Sequence, residues 1–429
     1  MQKGIVTVKI ALEMQKREET RMKVKFLGGA EEVGRLAIKF QDDSTRFMVD
    51  YGVVPEKPPQ YPMPYEPVDG IFITHAHLDH IGALPVCYHG DRASLYTTTM
   101  TANSMEPLLN DSIKIMDLEG YPKRFDVTDI DTMFESLTAV HYEDTVQVGK
   151  YYATPYSAGH IPGSSMWLFE NSKKILVTGD LYTRDSNLLV GGKPVKADIL
   201  VMESTYAGKN HEDRQQVIAR LKSRIKEVVD NGGKVILPSF ALGRTQELIM
   251  ILADLGYRIA VDGMGNLITG IYLNTPGYLR SRGEFRRKVG RVRQVRGRRM
   301  REAALDNDII ITTSGMLDGG PVLGYIQKLA DDDKSAIFLT GYQVEGTNGR
   351  SLVETGTINI AGVPLRPSMQ VEFFDLSAHA GHDDLISFAK AVSPEKIILC
   401  HGESREKLLD DLSEFEVILP FNGKEFTIE

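Results

Sequence analysis

Five short β-branched runs in this chain each stop at a residue able to bind a metal or move a proton, and that coincidence constrains the fold more than any other feature. RFMVD (46–50) ends in Asp50, and GIFIT (70–74) leads into His75. KILVTG (174–179) leads into Asp180, DILVM (198–202) into Glu203, and KIILC (396–400) into His401. The carboxyl ends of strands gather at one edge of a sheet, so residues far apart in sequence can share a site. One such ending is ordinary; five argue for convergence. Four further strand-like runs, KVKFLG (23–28), KVILP (234–238), DIIITT (308–313) and AIFLT (336–340), alternate with helical stretches at 211–230, 243–254, 321–330 and 404–412. That alternation predicts a layered α/β fold. Residues 207–365 have their own strand–helix alternation and few histidines, so they read as a second domain inserted into a discontinuous first one, 1–206 and 366–429.

The densest chemistry is Thr74-His75-Ala76-His77-Leu78-Asp79-His80, three imidazoles and a carboxylate in a short loop directly after a strand. His160 lies in a Gly/Ser-rich turn (157–165), and Asp180 and His401 stand at strand ends. The only cysteines, Cys87 and Cys400, are too few for a thiolate zinc module or a disulfide scaffold. Imidazole and carboxylate donors suit Zn²⁺, and also Mn²⁺ or Fe²⁺, better than Ca²⁺. Together these residues supply enough ligands for two neighbouring metals, an arrangement suited to phosphodiester hydrolysis.

HAHLDH (75–80) resembles the HxHxDH signature of the metallo-β-lactamase superfamily. Glu203 in MESTY, His379 in DLSAHAGHDD and His401 in CHGE resemble the additional motifs of its β-CASP branch, as do PSFALGRTQEL (238–248), TSGMLDGGP (313–321) and GYQVEGTNGR (341–350). The resemblance runs from about residue 22 to 429 and is strongest to archaeal homologues of the cleavage and polyadenylation specificity factor nuclease, with ribonuclease J a further relative. It implies a four-layer αββα metallo-β-lactamase fold carrying an inserted α/β β-CASP domain. It also implies two Zn²⁺ per chain, with Mn²⁺ as the alternative: one held by His75, His77 and His160, the other by Asp79, His80 and His401, with Asp180 bridging and Asp50 orienting a ligand. The implied chemistry is attack by a metal-bridging hydroxide, with His379, supported by Glu203, as general acid. A histidine at position 401 accompanies RNA-acting rather than DNA-acting members of the branch. Leu36 and Asn348, and the turn Asp262-Gly263-Met264-Gly265, depart from the branch's usual residues and bear on substrate fit.

The formal charge of −8 argues against a nucleic-acid partner only until it is resolved along the chain. Residues 280–302 hold ten Arg and one Lys against two Glu, a local +9 that leaves −17 on the rest. Arginine suits bidentate phosphate contact and base stacking, so Arg286, Arg287, Arg291 and Arg293 are candidate RNA contacts. Ser314 and Gly315, before a helix expected near Pro321, and Arg350, after a Gly-rich turn, are candidate phosphate contacts. The leading expectation is a zinc-dependent ribonuclease of single-stranded RNA in RNA processing or decay, acting as an endonuclease, a 5′–3′ exonuclease or both. The alternatives are a thioester, lactone or β-lactam hydrolase, and an inactive RNA-binding scaffold of a processing complex. The apolar stretch GIVTVKIAL near the start is interrupted by Lys9 and followed by a charged run rather than a cleavage site, which argues against a secretory signal. No run approaches the ~18–20 apolar residues of a membrane span. A cytoplasmic homodimer, without membrane contact, is the expectation.

Overall fold

A computed structural model describes residues 21–429; the GIVTVKIAL stretch lies outside the described residues. Two seven-stranded sheets pack face to face. The first contains Met22–Gly28, Ala37–Gln41, Arg46–Val49, Gly70–Phe72, Ser94–Thr98 and Leu137–Val140, with Glu425–Ile428 closing one edge against Met22–Gly28. The second contains Val146–Val148, Tyr151–Ser157, Ser165–Glu170, Lys174–Val177, Ile199–Glu203, Lys396–Cys400 and, at its edge, Glu416–Ile418. Alternate residues of the two sheets meet between them: Val24, Phe26, Phe40, Phe47 and Phe72 from the first, and Trp167, Phe169, Val177, Val201 and Ile398 from the second. The Phe47 and Phe169 rings stack at 4.4 Å. Helices Thr99–Glu119 and Val127–Glu135 cover the outside of the first sheet, and His382–Val392 covers the second. This is the αββα order.

The third sheet is a separate six-stranded one in which every adjacent pair is parallel: Arg293–Gln294, Ile259–Asp262, Ile309–Thr312, Val235–Pro238, Ala336–Leu339 and Gln370–Phe373 in spatial order. Its strands read as continuous apolar runs because helices cover both faces. Val235, Leu237 and Ile311 meet helices Arg214–Asp230 and Arg244–Leu252, while Ile236 and Ile310 meet Pro321–Leu329.

Three expectations need correction. Gln370–Phe373, placed in the first domain by a boundary at 365/366, is the edge strand of the third sheet and pairs with Ala336–Leu339. The hairpin Ile358–Ile360 with Val363–Leu365 comes before it, so the chain makes one more crossover before returning. Residues 404–412 form only a 3₁₀ turn at Arg405–Leu408, where buried Arg405 donates to the carbonyls of Leu399 and Pro420 and holds the segment folded back. The five strand ends also belong to two sheets, not one: those before Asp50 and His75 lie in the first, and those of Asp180, Glu203 and His401 in the second. The sandwich brings both sets of ends to the same rim.

Candidate metal centre and its cavity

The two sheets lock together around Thr74. Trp167 Nε1 donates to Ile73 O at 3.0 Å, and the backbone N–H of Ser165 donates to Thr74 O at 2.8 Å, so the loop after Gly70–Phe72 is held by the opposite sheet. Two glycines allow the approach. Gly52 lies so close to the next loop that a Cβ there would sit 1.8 Å from Asp79 O. Gly179 has φ +54°, and a Cβ on it would meet Thr74 Cβ at 2.6 Å. Asp50 and His401 also adopt left-handed backbone, at φ 58° and 50°, a conformation that costs free energy in non-glycine residues and concentrates at functional sites.

The donor atoms form two groups around Asp180. Asp180 Oδ2 lies 3.5 Å from His75 Nε2 and 3.6 Å from His160 Nε2, while His77 Nδ1 lies 3.0 Å from His75 Nε2 and 3.2 Å from His160 Nε2. Asp180 Oδ1 faces the other way, 3.2 Å from His80 Nε2 and 3.4 Å from His401 Nδ1, and Asp79 Oδ2 lies 3.6 Å from His401 Nε2. Hydrogen bonds on the far side of the rings set their tautomers. His80 Nδ1 is 2.7 Å from Asp50, which also accepts from Thr74 N and Thr74 Oγ1, and His160 Nδ1 is 2.7 Å from Ala378 O. Both Nε2 atoms are thereby left to face the centre.

The electrostatics call for cations. Burial, reinforced by neighbouring imidazoles, holds His75 and His160 well below the usual imidazole range. Burial also brings His77 down to about 4 against the pull of Asp79 and Asp180. These three rings are therefore neutral near pH 7, with nitrogens facing one another at 3.0–3.2 Å. Around the other group, burial opposes protonation of His80, yet the Asp180, Asp79 and Asp50 carboxylates outweigh it and raise the ring well above its ordinary value. His80 Nε2 and Asp180 Oδ1 are buried and make no hydrogen bond. Neutral nitrogen donors in contact and orphaned buried polar atoms fit divalent cations of borderline softness.

Glu203 and His379 stand beside these groups. His379 Nδ1 lies 3.1 and 3.2 Å from the two Glu203 oxygens, and Glu203 is itself fixed by the N–H of Leu181 at 2.6 Å. His379 Nε2 lies 3.7 Å from Asp180 Oδ2. Burial works against the His379 imidazolium, but Glu203 and then Asp180 outweigh it and push the ring up to about 9.

A cavity of about 770 Å³ opens between the sandwich and the inserted unit, with His77, Asp79, His160, Asp180 and His379 in its wall. None of the seven expected RNA contacts, Arg286, Arg287, Arg291, Arg293, Ser314, Gly315 and Arg350, lines it. Arg350 falls on helix Asn348–Thr355 rather than in an open turn, and its Nε pairs with Glu354 one turn along at 2.6 Å. Gly315 is packed against Phe240, and its carbonyl accepts from Gln343. The wall at that point is instead Met316, Asp318, Gly341, Tyr342 and Val344 to Thr347. The departures at Leu36, Asp262 and Asn348 also lie off the wall. Leu36 supports the site through its backbone, donating to Asp79 O at 2.9 Å. Sequence reasoning missed Arg244, which borders the cavity from within the PSFALGRTQEL motif; a cation directly after the FALG stretch was the available signal. Burial and the neighbouring Arg214 bring Arg244 down to about 10, still cationic near neutrality. Tyr206, Arg214 and Tyr342 complete this part of the wall.

Fold and site together define a metal-dependent hydrolase of the metallo-β-lactamase superfamily. A Metallo-beta-lactamase superfamily domain matches residues 40–195, a Beta-Casp domain residues 245–352, and a Zn-dependent metallo-hydrolase RNA specificity domain residues 365–416. The chain belongs to the β-CASP family of that superfamily. It is 36% identical over 399 residues to Probable RNase MJ4 of Methanocaldococcus jannaschii, covering 89% of this chain and 93% of the relative. It is 35% identical over 426 residues to RNase aCSPSF2 of Saccharolobus solfataricus (94% and 85%). With the transcription termination factor FttA of Methanocaldococcus jannaschii it shares 32% over 437 residues (91% and 68%). A solved protein of unknown function from Enterococcus faecalis matches with a TM-score of 0.59 at 14% identity, over 95% of this chain and 100% of that one, which is a likeness of fold.

Proposed function

We propose that this chain is a ribonuclease that hydrolyses phosphodiester bonds of single-stranded RNA with two Zn²⁺ ions. His75, His77 and His160 would hold one ion and Asp79, His80 and His401 the other, with Asp180 presenting one oxygen to each group. The ions would supply Lewis acidity, polarising the phosphate and making water acidic enough to ionise near neutrality. The observation that carries the reading is the His379–Glu203 pair facing Asp180. Ester cleavage at phosphorus expels an alkoxide, and the oxygen leaving the ribose needs a proton. His379 has Nδ1 committed to Glu203 and Nε2 turned to the centre, so it is placed to deliver that proton as water adds to phosphorus and the P–O3′ bond breaks. The products are a 5′-phosphate and a 3′-hydroxyl. Asp50 holds His80 in the tautomer that leaves Nε2 free. Arg244, cationic and on the cavity wall, holds a neighbouring phosphate.

The cavity supports this reading over a small-ester hydrolase, because more than a third of its wall comes from the inserted domain. Complete donor sets support it over an inactive scaffold. The test is cleavage of RNA labelled at either end by metal-replete protein, with metal content measured alongside. His379→Ala should keep the metals and lose most cleavage; full activity in that variant removes its role. A fragment ladder marks internal cutting, and released mononucleotides mark 5′–3′ trimming. No helix among the described residues is long and apolar enough to cross a membrane. A cytoplasmic homodimer completes the proposal, with sedimentation as its check.

A further inference from the structure

The cavity wall holds little positive charge with which to draw in a polyanion. Away from the metal centre and His379 its cations are Lys57, Arg214 and Arg244, and Arg214 is paired with Glu247 at 3.0 Å. Glu32, Glu56, Asp318, Glu345 and Glu403 line the same cavity. A wall of that sign attracts phosphates only at the metal centre and beside Arg244, so further affinity for a long RNA has to come from outside it.

The basic segment stands there, and it begins at the rim. Arg280 donates from its backbone to Leu188 O at 3.0 Å and from Nη1 to Ser186 O at 3.3 Å, and both partners line the cavity. The chain then runs outward through helix Arg282–Val289. Phe285 and Val289 of this helix are buried in the cluster that holds Leu248 and Leu252, and Lys288 donates to Met250 O at 2.6 Å. Strand Arg293–Gln294 forms the sheet edge, and helix Arg298–Ala304 follows. Several of the arginines have structural partners: Arg282 on Leu273 O, Arg287 near Glu284 at 3.7 Å, Arg291 on Asp254, and Arg301 on Asp262 at 2.8 Å. Arg286, Arg298 and Arg299 are exposed, and among the described residues their side chains make no hydrogen bond or ion pair.

We infer that this basic edge of the third sheet, with helix Arg282–Val289 packed against one face of the sheet and helix Arg298–Ala304 against the other, is a second RNA-binding site outside the cleft, which grips the backbone of a single strand at nucleotides remote from the bond being cut. The identity of the polymer rests on the ribonuclease reading; the existence of the site rests on the charge map. Guanidinium forks match phosphate bidentately and stack on bases, which suits an unpaired strand. The site predicts a length threshold: an RNA that fits inside the cavity gains nothing from it, while a longer one does.

The test replaces Arg286, Arg298 and Arg299 together by Gln (R286Q, R298Q, R299Q), in full-length metal-replete protein that also carries His379→Ala so that RNA survives. Binding of labelled RNAs of about 4 and about 20 nucleotides is measured across a salt series. The longer RNA should bind about tenfold or more weakly, and its salt slope should shrink by about 2, since each phosphate contact on a single strand contributes ~0.7. The short RNA should be unaffected. An unchanged affinity and slope for the longer RNA would overturn the site and leave the patch as a protein-facing surface. Equal losses at both lengths would also overturn it. Cleavage by protein with His379 and all three arginines intact separates the two readings: length-dependent binding without any cleavage would sink the ribonuclease and keep the site.

Discussion

Replacing Glu203 by Gln tests the acid more sharply than removing His379. Glutamine keeps an oxygen to accept from His379 Nδ1 and from the N–H of Leu181, so the geometry is preserved while the charge is lost. His379 stands at about 9 against an ordinary 6.5, after burial has already pulled it down; among the groups that raise it, Glu203 contributes most, ahead of Asp180. That gap corresponds to roughly 3 kcal/mol at 1.36 kcal/mol per unit. Losing the Glu203 charge should therefore lower His379 by about two units. A general acid works only while protonated, so activity is present below its pKa and is lost as pH rises through it. At a pH midway between the two proteins' His379 values the protonated fraction should fall from about nine in ten to about one in ten, and kcat should drop about tenfold. Well below both values the variant should approach wild-type turnover. Bound divalent metals lower His379 in both proteins and leave the difference between them. The assay is kcat against pH, with metal content matched. An alkaline limb in the same place for both proteins, or an equal loss at every pH, would refute the assignment of Glu203.

Asp50→Asn should lower metal affinity by about 10- to 100-fold, because the carboxylate that fixes His80 and accepts twice from Thr74 is replaced by a group that also donates; competition with a chelator measures it. Gly52→Ala should destabilise the fold by about 3 kcal/mol or more and weaken the metal held by Asp79 and His80 more than its neighbour, since the added methyl lands 1.8 Å from Asp79 O; denaturant titration and metal counting check both. Phe169→Ala, far from the chemistry, should cost about 3–5 kcal/mol in denaturant unfolding while metal stoichiometry stays at the wild-type value, because its ring is fully buried between Phe47 and Phe72.

Much of the centre was legible because its residues are local or stand at strand ends. His75 to His80 fall within six positions, and Asp50, Asp180, Glu203 and His401 each terminate an apolar run whose period and length mark a strand. The end of the inserted domain was less legible. Gln370–Phe373 is a four-residue edge strand with only partial burial, so its composition carries almost no signal. The expected phosphate contacts fall off the cavity wall, because a Gly-rich turn has the same composition whether its amides face a ligand or, as at Gly315, another loop. Arg350 looked available only until the helix placed Glu354 beside it.

Residue chemistry and order alone determined which atoms this protein can offer: imidazoles and carboxylates without thiolates, strands that deliver them, and one strongly basic segment in an acidic chain. Those are properties of side chains and of local periodicity, and they survive without a fold. Only the tertiary structure decided how they are used. Packing the two sheets through Phe47, Phe169 and Trp167 turned five separate strand ends into one rim, with Asp180 between two donor groups. Packing Phe285 and Val289 into the inserted domain turned the basic segment away from the cavity wall. Which face of an element is buried depends on partners hundreds of residues away, and that is information a linear pattern does not contain.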